Sequence, residues 1–270
     1  MRAIALPVLV LLLHMGMFVP VSYGLDSALL GTDLAKAVDL PDQKEEAGIA
    51  DVLLELRAER LNATLIVLTH FPQGLGAAVD KKVAAFGELL HSKAYADTLD
   101  RSSYTYEQEL GEIAKAMADG KPVPSRKARD WSNVYASAAT YTLSSPSQDF
   151  VSILFRQDMT GAAAHSNWTY SAITFNRRTG RDISLNELFP GKASIAAELT
   201  PLIKKSLQGK GNDLSENDLD LDMKRIVLTS EGMRIVYAPY EIASYSEGEF
   251  LVDLPREELI KLGADKSIWK

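Results

Sequence analysis

The stretch YASAATYTLSSPSQDFVSILFR, residues 135–156, decides the fold. Its period is two: Tyr135 to Leu143 and Phe150 to Arg156 read as strands, and Ser144-Ser145-Pro146-Ser147 is a turn cluster between them. Upstream the period differs. Val79, Val83, Phe86 and Leu90 recur at four, three and four residues, the spacing of one helical face. Tyr106, Leu110, Ile113 and Met117 repeat it, which predicts a second amphipathic helix. Asp119 to Lys127 is a loop by composition, and the change of period near residues 120–130 divides a helix-rich front from a strand-rich back.

Before the first helix, Val52 to Leu68 reads as two strands or one long bent one, ended by Phe71-Pro72. Downstream, Trp168 to Asn176 alternates as a strand and Arg177-Arg178-Thr179-Gly180 turns the chain. Ser184 followed by Glu187 has the spacing of a capping box, with Leu188-Phe189 behind it. A helix is expected over Ala193 to Leu207, kinked or restarted at Pro201. Arg225–Thr229 and Met233–Ala238 form a hairpin around Ser230-Glu231-Gly232. Phe250, Val252 and Leu254 alternate in a last strand, and Pro255 opens a short helix.

Runs of strands with a few inserted helices, and no regular βαβ alternation, indicate an α+β fold. The expectation is antiparallel sheets with a few packed helices in two closely associated subdomains, residues 49–157 and 158–270. Residues 25–48 are a polar leader.

The first 24 residues read as a secretory signal. Arg2 supplies the positive charge, Ala3 to Val19 the apolar core, and Ser22-Tyr23-Gly24 a cut after Gly24. The other reading is an uncleaved anchor, which needs roughly 20 apolar residues, and His14 and Gly16 interrupt the run. The expected product is periplasmic or secreted, with no membrane span after cleavage. Its formal charge would pass from −7 to −8 with the loss of Arg2. That sign argues against a nucleic-acid partner, which wants a basic footprint. Zero Cys excludes a disulfide framework, so burial must supply stability.

Familiar catalytic patterns are absent. His70, His91 and His165 fall in no zinc-ligand spacing, so no metal and no cofactor are expected. There is no Gly-x-Ser-x-Gly elbow and no Cys nucleophile. Gly74-Leu75-Gly76-Ala77-Ala78-Val79 resembles a dinucleotide loop, but Val79 replaces the third Gly and a loop capping a helix explains it better. The acidic run Asp213 to Asp222 lacks the central Gly and closing Glu of a helix-loop-helix calcium site, and reads as a solvated charge run. Asn62-Ala63-Thr64 and Asn167-Trp168-Thr169 match glycosylation sequons.

Three segments carry a resemblance: Thr160-Gly161-Ala162-Ala163-Ala164-His165, then Arg178-Thr179-Gly180 through Leu188-Phe189, and Tyr237-Ala238-Pro239-Tyr240-Glu241-Ile242-Ala243-Ser244-Tyr245-Ser246-Glu247-Gly248. Over residues 160–260 this order resembles the C-terminal domain of unknown function of RsiV-type extracytoplasmic proteins, also found beside PdaC-type polysaccharide deacetylases. The front half resembles the partner domain that usually precedes it. Ala162-Ala163 stands where the family has Gly-Gly. The resemblance implies a non-catalytic binding protein of the cell envelope, with peptidoglycan glycan or a wall-lytic enzyme such as lysozyme as ligand. Under that reading His165, Tyr240, Glu241 and Tyr245 are the ligand-binding candidates, with no catalytic residue. The rival is a cell-wall hydrolase or esterase using a carboxylate and His165. A third reading is an envelope subunit whose sheet edge pairs with another chain.

Overall fold

The structure, a computed structural model, describes residues 48–60, 63–120, 134–161, 166–192, 195–207 and 221–270. The expected signal segment, the polar leader, His165, Asn62 and most of the acidic run lie outside these residues.

Strands β1 (Ala50–Arg60) and β2 (Ala63–Gln73) pair antiparallel along their whole length, so the Val52–Leu68 stretch is two strands. Helix α1 (Ala77–Ala118) follows, then β3 (Val134–Ser147), β4 (Phe150–Thr160) and β5 (Asn167–Asn176). These strands form one five-stranded sheet in the order β1-β2-β3-β4-β5. All its pairings are antiparallel except β2 with β3, which run parallel because α1 carries the chain back to the starting end. This is a single βαβ crossover in an otherwise antiparallel sheet, consistent with the absence of a regular βαβ alternation. The expected boundary between 157 and 158 falls inside β4, and the sheet takes strands from both sides of it.

The back half continues with two short helices' worth of turns and a second sheet. Helix α2 (Leu185–Leu188) starts at the predicted capping box: Ser184 Oγ accepts the Glu187 amide, and Glu187 accepts the Ser184 amide at 2.9 Å. Helix α3 (Ala196–Leu207) runs through Pro201. The proline stands in the second turn, where its missing N–H removes a single helical bond, and burial of Leu199, Ile203 and Leu207 carries the helix past it. Strands β6 (Ile226–Thr229), β7 (Gly232–Tyr237) and β8 (Phe250–Pro255) form an antiparallel three-stranded sheet, and α4 (Arg256–Lys261) closes the order.

Strand alternation distributes the core. Val151, Ile153, Phe155 and Phe175 point to one face of the large sheet, against Val79, Val83 and Leu90 of α1. Leu154 and Ala172 point to the other, against Val227 and Val236 of the small sheet. The opposite face of the small sheet packs Ile226, Leu228, Met233, Ile235, Tyr237, Val252 and Leu254 onto α3 and α4. The layers therefore run helix, sheet, sheet, helices. Ser152 bridges the two sheets: its hydroxyl lies 2.6 Å from Thr174 Oγ1 and accepts the Leu228 amide at 3.0 Å.

Two local expectations change. The two predicted helices are one helix of 42 residues, about 63 Å long. Nothing between Leu90 and Tyr106 breaks it, and burial of Ala94, Thr98 and Ser102 bridges the two apolar stripes. The helix outruns the sheet, so Leu110 and Met117 remain exposed. The turn after β3 also moves. Ser144 to Ser147 stays in the strand with a register shift, and the chain reverses at Gln148-Asp149.

At the start of α1, Asp80 accepts the backbone amides of Gly74 and Leu75 at 3.0 and 2.9 Å. The donors a phosphate would need are thus engaged by the helix's own first turn, and the segment is a capping loop.

Inside the α1 layer, His91 Nδ1 lies 3.1 Å from Thr69 Oγ1, and burial lowers its pKa below the usual 6.5. The folded state therefore resists a proton that the unfolded chain accepts. Stability is full above pH 6.5 and falls as pH drops from there toward the lowered value. Melting temperatures measured down a pH series should fall less steeply in His91→Gln than in the parent, and parallel curves would disprove the assignment.

Candidate functional site

The small sheet covers only part of the large one. Beyond Leu154 and Ala172, the same face continues with the cross-strand pairs Arg156–Tyr170 and Asp158–Trp168. Here the loop joining β7 to β8, residues 238–249, reaches over the sheet in place of a strand.

Arg156 and Asp158 point to one face because they are two apart on β4. The guanidinium donates from Nε to both Asp158 oxygens at 3.1 Å and from Nη2 to Oδ1 at 2.9 Å. Asp158 is only 4% exposed. Burial raises its pKa, Glu249 adds to the rise, and the Arg156 fork opposes it. For Arg156, burial works against the charge, but Asp158 together with Tyr170 and Glu249 outweighs it and holds the group above its ordinary value. A guanidinium does not lose its proton in proteins, so the pair remains ionic at neutral pH.

Glu249, just before β8, ties the loop to the sheet. It accepts the Trp168 indole N–H at 2.9 Å and the Tyr170 hydroxyl in a short hydrogen bond, with Arg156 Nη1 at 3.8 Å. Burial, then the bond to Glu249, pushes the Tyr170 phenol well above its usual range. The Arg156 guanidinium lies 4.8 Å from the centre of the Trp168 ring, a cation–π contact.

From Trp168 a ladder of rings leads outward. Tyr245 meets Trp168 edge to face, centroids 5.8 Å apart, and Tyr240 lies 5.6 Å from Tyr245. Tyr245 donates its hydroxyl to the Ser166 carbonyl at 2.7 Å, fixing the ring against the β5 approach. Tyr240, the outermost ring, is 59% exposed and is the one non-glycine residue with positive φ, +69°, among the described residues. That conformation costs a bulky side chain roughly 1–2 kcal/mol.

Of the four sequence candidates, the structure brings Tyr240 and Tyr245 together. Glu241 adjoins them, but its carboxylate is engaged: Oε2 accepts the Ala238 amide at 2.7 Å and pairs closely with Arg225. This carboxylate holds the bend that displays Tyr240. His165 lies outside the described residues, one position before Ser166.

Sequence reasoning missed Arg156, Asp158, Trp168, Tyr170 and Glu249. The available signals were the Arg-x-Asp ending of an otherwise apolar strand and the Trp-x-Tyr alternation in the next. Asn167, of the second sequon, is half-buried at the start of β5, and its side-chain oxygen is buried with no hydrogen-bond partner among the described residues. Among the described residues no cluster of three or more His, Asp and Glu could hold a metal, and no helix is long and apolar enough to cross a membrane.

Fold and site together define an α+β protein of two stacked sheets, with a ring-and-acid patch where the smaller sheet ends. Residues 186–257, from α2 through β8, match the family described as Protein of unknown function (DUF3298), so the chain carries a DUF3298 domain. Two crystal structures share the architecture. A DUF3298 family protein from Pseudomonas aeruginosa PAO1 is 13% identical with a TM-score of 0.52. A DUF3298 family member from Bacteroides fragilis NCTC 9343 is 14% identical with a TM-score of 0.50. Each comparison covers 82% of this chain and 95% of the other. At such identities the likeness is one of fold. No curated protein matches the chain.

Proposed function

We propose that this chain is an exported, non-catalytic binding protein of the cell envelope, and that the patch headed by Tyr240 takes a peptidoglycan glycan. The observation that carries the reading is the exposed tyrosine at φ +69°. A strained backbone that presents an aromatic ring to solvent invites a functional explanation, and sugar rings stack on aromatic faces. The rings behind it are locked by Glu249 and Ser166, so the surface is organised before a ligand arrives. Asp158 and Glu249, the carboxylates behind the rings, already accept protein donors, which favours binding over acid–base chemistry. The RsiV-type relationship and export after Gly24 belong to the same proposal, supported by the DUF3298 domain and the leading apolar run.

A basic wall-lytic enzyme such as lysozyme is the second reading, favoured by Glu241 and Glu247 flanking the rings and by the net charge of −7. Co-sedimentation with insoluble peptidoglycan and capture of lysozyme, each in low and high salt, separate the two. Glycan retention should persist in salt, lysozyme capture should weaken. Retention of neither at low salt would sink the proposal.

Tyr240→Gly provides an internal check. The strain is relieved, so unfolding free energy should rise by about 1 kcal/mol while peptidoglycan retention falls. A variant that is both less stable and fully retained would mean the ring serves packing rather than binding.

A further inference from the structure

A cleft of about 660 Å³ opens at the far end of β5, beneath the turn that follows it. Trp168 and Asn176 are eight residues apart on that strand, so the cleft lies about 26 Å from the ring patch. Its size falls in the range of small-ligand sites.

The cleft has an apolar floor and a polar rim. Phe150 and Ile268, both buried, and half-buried Ile183 form the floor. The rim is rigid. Asn176 Oδ1 accepts both the amide and the hydroxyl of Thr179, at 3.0 and 3.1 Å, and the Asn176 carbonyl accepts the Gly180 amide. Gly180, at φ +66°, presses on α1 so closely that a Cβ would stand 2.7 Å from the Ala78 methyl. Lys82 pins the same turn from α1 through Asp182 at 3.0 Å.

The charges on this rim are mostly spent. Arg181 pairs with Glu187 at 2.5 Å, and Glu187 is also held by Ser184. Asp265 accepts the Ser267 amide at 2.9 Å. Arg178 and Asn186 line the cleft, are exposed, and make no hydrogen bond or ion pair among the described residues. One guanidinium, carried on a braced turn, and one amide therefore line a cleft that also exposes the apolar Phe150, Ile183 and Ile268.

We infer that this cleft binds an apolar residue bearing a free carboxylate, such as an N-acylated amino acid at the end of a peptide. The guanidinium fork of Arg178 suits a carboxylate, Asn186 suits the adjoining amide, and the floor takes the side chain.

Titration of the full chain with N-acetyl-leucine, followed by amide NMR shifts around Thr179 and Asn186, tests this. Saturable binding near about 1 mM is expected for so small a ligand. N-acetyl-leucinamide, and N-acetyl-leucine with the variant Arg178→Gln, should each bind about tenfold more weakly or worse. Arg178 is exposed, so that variant should keep the parent's circular dichroism. Tyr240→Ala should bind as the parent does, which separates this site from the ring patch. Absence of saturable binding, equal binding of the amide, unchanged affinity in Arg178→Gln, or tighter binding of inorganic phosphate would each overturn the inference.

Discussion

Asp158→Ala is expected to destabilise the protein by about 3–5 kcal/mol, as removal of one member of a buried ion pair generally does. The cause is the guanidinium left behind. Side chains of Arg156 and Asp158 are only 11% and 5% exposed, so little water can replace the lost carboxylate. Glu249 offers Arg156 a distant second partner at 3.8 Å, and the Trp168 ring a cation–π contact, which places the effect toward the lower part of that range. Replacing both members by hydrocarbon, Arg156→Met with Asp158→Leu, should recover much of the loss because no charge is then stranded. Urea unfolding of the single and double variants measures both. A double variant as unstable as Asp158→Ala would show that the pair acts through geometry rather than charge. The same variants bear on function, since Arg156 sits under Trp168 and supports the ring ladder from below.

Trp269→Ala should cost about 3–5 kcal/mol, although it alters the penultimate residue of the chain. Chain ends are ordinarily frayed unless something ties them down. Here the indole is 9% exposed within the core under the small sheet, and its N–H donates to the Thr229 carbonyl at 2.8 Å. Truncation leaves both a cavity and an unanswered carbonyl at the β6–β7 hairpin. Trp269→Phe should retain most of the packing and lose about 1 kcal/mol for the hydrogen bond. Thermal unfolding distinguishes the two variants. Equal, small losses would mean that the C-terminal turn contributes little to the core.

Much of the back half could be read locally. The capping box at Ser184 and Glu187, the β6–β7 hairpin and the alternation of Phe250, Val252 and Leu254 depend on neighbours within a few residues. Each was therefore legible from spacing. Ser144-Ser145-Pro146-Ser147 misled because its turn composition is overridden by pairing with β4, which keeps the chain extended to Ser147. The site was legible only in its loop half. Tyr240 and Tyr245 stood out in a distinctive segment, whereas Glu249 reaches Trp168 across 81 residues of sequence.

By itself the sequence determined the α+β class, most strand positions, the absence of disulfides and the presence of tyrosines in the β7–β8 loop. These follow from periodicity, turn chemistry and composition, which are properties of short windows. Tertiary structure decided the rest: that α1 is one helix, that β2 and β3 run parallel, and that the small sheet stops where Arg156 and Asp158 begin. It also set Glu241 to bracing a bend and Tyr240 to facing solvent. Register and layer packing are relations between distant segments, and side-chain alternation fixes a face only once a neighbouring strand fixes the register.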